Sequence, residues 1–84
     1  MPEVTIGSMM NNKRNITVSG FRNIFTITTI FINRYHVTHY GIFERYHHVL
    51  IAQGRSVMGA VNNMLIFLED KEQEDLDLFI KVSK

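Results

Sequence analysis

There is no cysteine among the 84 residues. That excludes disulfides, thiolate metal sites and a cysteine nucleophile, and it fits a reducing compartment. Nor is there an apolar run long enough to cross a bilayer. The greasiest stretch, IFTITTIFI at 24–32, is about half the ~20 residues a spanning helix needs, and its threonines lower its hydrophobicity further. It follows Lys13 and Arg14 as the core of a signal peptide would, yet no small-x-small cleavage pattern comes after it, only NRYHVTHY. A cytoplasmic protein without membrane association is expected. Repeats, low-complexity tracts and linkers are also missing, so residues 1–84 are expected to form one small domain. Catalytic patterns are absent as well: there is no Ser-His-Asp spacing, no phosphate loop and no carboxylate pair. No enzyme activity and no cofactor are expected.

What is present describes a folded chain. At 45% hydrophobic and 20% charged residues the composition is that of a globular protein. The net charge of +1 conceals a polarity, because residues 1–56 carry +4 and residues 57–84 carry −3. A basic side and an acidic side follow if the two halves fold onto different surfaces.

Along the chain, MPEVTIGS reads either as a short first strand, with Val4 and Ile6 in phase, or as a loose leader spanning 1–12, with Met9 and Met10 as alternative starts. Ile16 and Val18 alternate in the next strand, which breaks at Gly20. Residues 24–32 are almost entirely β-branched or aromatic. Ile24, Thr26, Thr28, Ile30 and Ile32 would line one side, and Phe25, Ile27, Thr29 and Phe31 the other. A strand apolar on both faces is expected to be an inner one. Asn33 and Arg34 suit a turn. YHVTHYGIFERYHHVLIAQG then supplies one or two further strands, bending near Gly41 or near Glu44 and Arg45. Ser56 is a good helix cap, and Val57, Val61, Met64, Leu65 and Leu68 share one helical face. Gly59 is expected where a strand comes close. The acidic run 69–75 reads as a connector, and the alternation of Leu76, Leu78, Ile80 and Val82 predicts a final strand. The expected architecture is α+β: a small, largely antiparallel sheet with one helix on a face, in the order β-β-β-α-β, with or without an extra N-terminal strand.

The stretch IAQGRSVMGAVNNMLIFLED, residues 51–70, resembles the strand-to-helix joint of HicB-type antitoxins, small domains with a partial RNase H-like fold. The matching positions are Gln53, Gly54, Ser56, Val57, Ala60, Val61, Asn63, Leu68 and Glu69. The resemblance implies the β-β-β-α-β order, with residues 76–82 as its last strand, and a protein partner, typically a small nuclease toxin. The DNA-binding module that family members often append is not expected, since the sequence ends at Lys84.

The segment 35–48 holds every histidine and every tyrosine. His36 and His39 alternate to opposite faces of a strand, as do His47 and His48. A turn near Phe43 would let His39 meet His47 or His48, which gives two ligands where zinc wants three or four, so no metal is expected. Tyr, Arg and His together suit a protein interface, with Arg34, Tyr35, His39, Tyr40, Arg45, Tyr46, His48 and Arg55 as its candidate residues. The expected role is that of a non-enzymatic regulator or inhibitor that occludes a partner protein, antitoxin-like in kind. Two alternatives remain: an inhibitor of a bacterial nuclease or defence complex carried by a phage or mobile element, and an RNA- or DNA-binding module using the same aromatic-basic hairpin. Because residues 24–32 are greasier than one helix can cover, association with a partner or a second copy is expected.

Overall fold

Five strands run up and down in chain order, and two helices follow. In this computed structural model the described residues are 3–10, 13–32 and 34–83, with nothing said of the side chains of Met9, Met10 and Ile32. The strands are β1 (Val4–Met10), β2 (Lys13–Val18), β3 (Ile24–Ile32), β4 (Thr38–Glu44) and β5 (Val49–Gly54); the helices are α1 (Val57–Leu68) and α2 (Gln73–Ser83). All four pairings are antiparallel in the order β1-β2-β3-β4-β5, which makes β3 the central strand. Residues 4–10 are therefore an edge strand; Met1, Pro2, Asn11 and Asn12, the rest of the expected leader, lie outside the described residues, as does Asn33 of the expected turn, which Arg34 and Tyr35 continue.

One face of the sheet carries the core. Ile16 and Val18 of β2, Phe25 and Ile27 of β3, Ile42 of β4, and Val49 and Ile51 of β5 form one buried cluster with Ala60, Val61, Met64 and Leu68 of α1 and with Leu76 and Ile80 of α2. Helix α1 begins as its sequence dictates: the Ser56 hydroxyl accepts the Gly59 backbone N–H at 2.9 Å. The close approach expected at Gly59 is real, but Gly54 is the residue it constrains. A β-carbon on Gly54 would sit 2.6 Å from the Ala60 nitrogen and 2.8 Å from the Gly59 carbonyl carbon, so the bare strand end lets the first turn of α1 settle against β5.

The expected final strand is a helix, and the order β-β-β-α-β gives way to five strands and two helices. Leu76, Leu78, Ile80 and Val82 alternate, yet only Leu76 and Ile80, four apart, are buried; Leu78 and Val82 face solvent. Phe79 fills the third position of that stripe and meets Phe67 edge-on, with ring centroids 4.8 Å apart. The Asp75 carboxylate accepts the Glu72 backbone N–H at 2.9 Å, closing the helix start from inside the acidic run. Gln73 then ties α2 to the β2–β3 connection, accepting from the Arg22 backbone N–H at 2.7 Å and donating to Asn23 Oδ1 at 2.7 Å.

Beyond a register shift in β1 between Ile6 and Met9, two bulges break the simple alternation. In β3 the register shifts between Thr29 and Phe31, and in β5 it shifts opposite Ile42 and Phe43. The first one carries Phe31 away from Phe25 and Ile27, with which it was expected to share a side, and places it across from His39. No helix of the described residues is long and apolar enough to cross a membrane.

Candidate functional site on the open sheet face

Because both helices pack on one side of the sheet, the other side is left open. Strand alternation puts Lys13, Asn15 and Thr17 of β2, Ile24, Thr26 and Thr28 of β3, and His39, Gly41 and Phe43 of β4 on that side, with Leu50 and Gln53 of β5 paired beside them. Ile24, Phe31 and Leu50 are 40%, 49% and 42% exposed there, against 0% for Phe25 and Ile42 on the covered side. β3 is the inner strand expected, with two helices rather than one over one side of it and Ile24 and Phe31 partly exposed on the other.

The centre of the open face is a shallow depression of about 580 Å³ lined by Lys13, Asn15, Thr26, Thr28, Phe43, Arg45 and His48. Its chemistry is one-sided. Every charged or ionisable group in the lining is cationic or an imidazole, and the rest are hydroxyls, an amide and one ring. The single acidic residue in any of the five strands is Glu44, and it points to the covered side; the other acids lie at Glu3, ahead of β1, and at 69–77 beyond α1. Lys13 and Arg45 border the open face, while the acids at 69–77 lie with the helices, where Asp77 meets Arg22 at 3.5 Å.

Gly41 sits beside Phe43 in the floor. A β-carbon there would come 2.5 Å from Ile30 Cγ2 and 2.9 Å from the Phe43 ring, so the bare backbone lets these two side chains close over the strand and bury the glycine. Further along, Phe31 and His39 stack face to face, centroids 4.2 Å apart and planes 13° apart.

Glu44 shapes one end of the site. It is 2% exposed, and its carboxylate accepts the Tyr46 N–H at 2.7 Å and the His47 N–H at 3.1 Å, with His47 Nδ1 at 3.3 Å. The His48 N–H donates to the Glu44 carbonyl at 2.8 Å, and His48 takes the left-handed conformation at φ 57°. The carboxylate therefore fastens the four-residue turn 45–48, holding Arg45 and His48 at the rim of the depression. That turn is the second of the two bends expected from the sequence.

The eight residues singled out from the sequence do not converge. Arg34 and Tyr35 occupy the β3–β4 turn, with the Arg34 guanidinium 4.9 Å from the Tyr35 ring centroid, and Arg55 follows β5 at the same end. Arg45, Tyr46 and His48 lie at the opposite end, about 20 Å away along the seven residues of β4. His39 is on the open face, whereas Tyr40 points to the covered side and packs against the core. His39 does not meet His47 or His48, since β5 passes β4 with Gly54 opposite Tyr40 and Val49 opposite Glu44. Among the described residues no three His, Asp or Glu side chains are grouped so as to hold a metal ion. Lys13, Asn15, Thr26, Thr28 and Phe43 were missed by attention to the tyrosines and histidines. The signal for the first four is the polar phase of β2 and β3, which alternates with Ile16, Val18, Phe25 and Ile27; Phe43, on β4, has no such signal. No family model, curated protein or solved structure matches this chain.

Proposed function

We propose that the chain is a non-enzymatic binding module that works by laying the open face of its sheet against a partner macromolecule. The observation that carries this reading is the asymmetry of the central strand. Phe25 and Ile27 are sealed under the helices, while Ile24 and Phe31 on the other side remain 40% and 49% exposed on the face that holds the cation-bordered depression. Exposed apolar side chains next to cationic and hydrogen-bonding ones are what a contact surface presents, the apolar groups to bury and the polar ones to select. An antitoxin-like occlusion of a protein would use the same face, with Ile24, Phe31 and Leu50 as its apolar contacts and Arg45 as an anchor.

Site-specific photo-crosslinking in the native cell tests this. A crosslinking residue in place of Thr26, in the floor, is expected to give a discrete adduct, and one in place of Leu78, on the exposed side of α2, is expected to give none. Adducts from position 78 alone, or none from position 26, would refute the proposed surface.

A further inference from the structure

We infer that the open face accommodates a single-stranded nucleic acid, with one base stacked on Phe43 and the flanking phosphates held by Lys13 and Arg45. This rests on the reading of the open face as the working surface and names what occupies it. Charge comes first. No strand residue on this face is acidic, and the depression is bordered by Lys13 on β2, by Arg45 in the β4–β5 turn and by His48. Such a border favours a polyanion; it would also attract the acidic run at 69–77 of a second copy, and a nucleic acid is distinguished from that run by using the ring between the cations as well.

Phe43 supplies that ring. It lies on β4 and Lys13 on β2, two strand spacings across and two residues along, about 12 Å between backbones, a gap that the long lysine side chain shortens toward the reach from a base to a flanking phosphate. Asn15, Thr26 and Thr28 stand between them and offer both donors and acceptors to sugar and base edges. Beyond Gly41, which Ile30 and Phe43 cover, the stacked Phe31–His39 pair is a second platform. His39 is four residues from Phe43 on the same face of β4, about 13 Å away. Two aromatic platforms on a carboxylate-free face, one of them bordered by hydroxyls and an amide, fit unpaired bases, whose faces are accessible. In a duplex those faces are already stacked, and two fixed cations are few for its charge density.

The test is equilibrium binding, by fluorescence anisotropy, of labelled oligo(dT) and oligo(U) of about 15 nucleotides, beside a duplex of equal length. Single strands are expected to bind at least about tenfold more tightly than the duplex. With two phosphates neutralised, affinity should fall about sevenfold between roughly 50 and 200 mM salt. Lys13→Ala and Arg45→Ala are both at exposed positions, and each is expected to halve the logarithmic salt slope. Phe43→Leu is expected to weaken binding about fivefold or more while leaving that slope unchanged. Absence of binding at low salt, or binding that the Lys13→Ala, Arg45→Ala double variant leaves intact, overturns the inference; the double variant decides the matter even if Phe43→Leu fails to fold. An adduct from position 26 that resists nuclease but not protease, with no oligonucleotide bound, also overturns it while leaving the contact surface standing. Loss of the adduct itself would instead remove the surface.

Discussion

Truncating the four alternating aliphatic residues of the C-terminal segment one at a time separates a helix from a strand there. In α2, Leu76 is 0% exposed and Ile80 4%, both within the shared core, whereas Leu78 and Val82 are 61% and 72% exposed. A fully buried Leu or Ile cut to Ala loses its transfer energy and leaves a cavity, about 2–5 kcal/mol. Leu76→Ala should stand near the middle of that range, about 3 kcal/mol, because it is flanked by residues of α1 and the sheet that cannot all close in. At roughly 4–8 °C per kcal/mol for a domain of this size, the midpoint of thermal unfolding should drop by about 12–24 °C. Ile80→Ala should behave alike. Leu78→Ala and Val82→Ala should each stay within about 0.5 kcal/mol of the parent. Far-UV circular dichroism against temperature and urea measures all four, with an unchanged urea slope confirming that the same unit unfolds. A strand would place all four on one face. Comparable losses at the four positions, or no loss at Leu76 and Ile80, would refute the placement of α2.

Further outcomes follow from the same packing. Glu44→Ala orphans the Tyr46 and His47 N–H groups and should cost about 3 kcal/mol by urea unfolding, with Glu44→Gln, which keeps one acceptor oxygen, costing less. Gly54→Ala drives a β-carbon into the backbone of α1 and should cost about 1–3 kcal/mol by urea unfolding; no loss of stability would contradict the close contact of β5 with α1. Ser56→Ala removes the helix cap and should lower stability by about 1 kcal/mol.

How much of this was legible in the sequence depended on whether a local signal had one meaning. β2 and β3 did: Ile16, Val18 and the run from Ile24 to Ile32 are β-branched or aromatic, and no helix could bury both sides of them in so short a span. The start of α1 did too, since Ser56 precedes a stripe at helical spacing. Residues 76–82 had two meanings. Leu76, Leu78, Ile80 and Val82 satisfy a period of two, but Leu76, Phe79 and Ile80 also satisfy a period of three and four. The deciding signals were Asp75 three residues after Glu72, acids in the first turn and Lys81 in the last, and the acidic run concealed them by resembling a connector. The bulge at Ile30 was beyond local reading, because an extra residue in one strand is defined only by its partner, and it alone decides that Phe31 joins His39 on the open side. The candidate site was hidden for a related reason: Lys13, Asn15, Thr26, Thr28 and Phe43 come from three strands and are unremarkable singly.

The most direct test of the open face is to expose the protein, with isotope-labelled isoleucine and leucine methyl groups, to a soluble paramagnetic agent and record methyl relaxation by NMR. Ile24 and Leu50 should relax strongly, while Ile16 and Ile42 on the helical side should be shielded. If Ile24 and Leu50 were shielded as well as Ile16 in dilute solution, the face would be covered by its own chain, and the account would be contradicted.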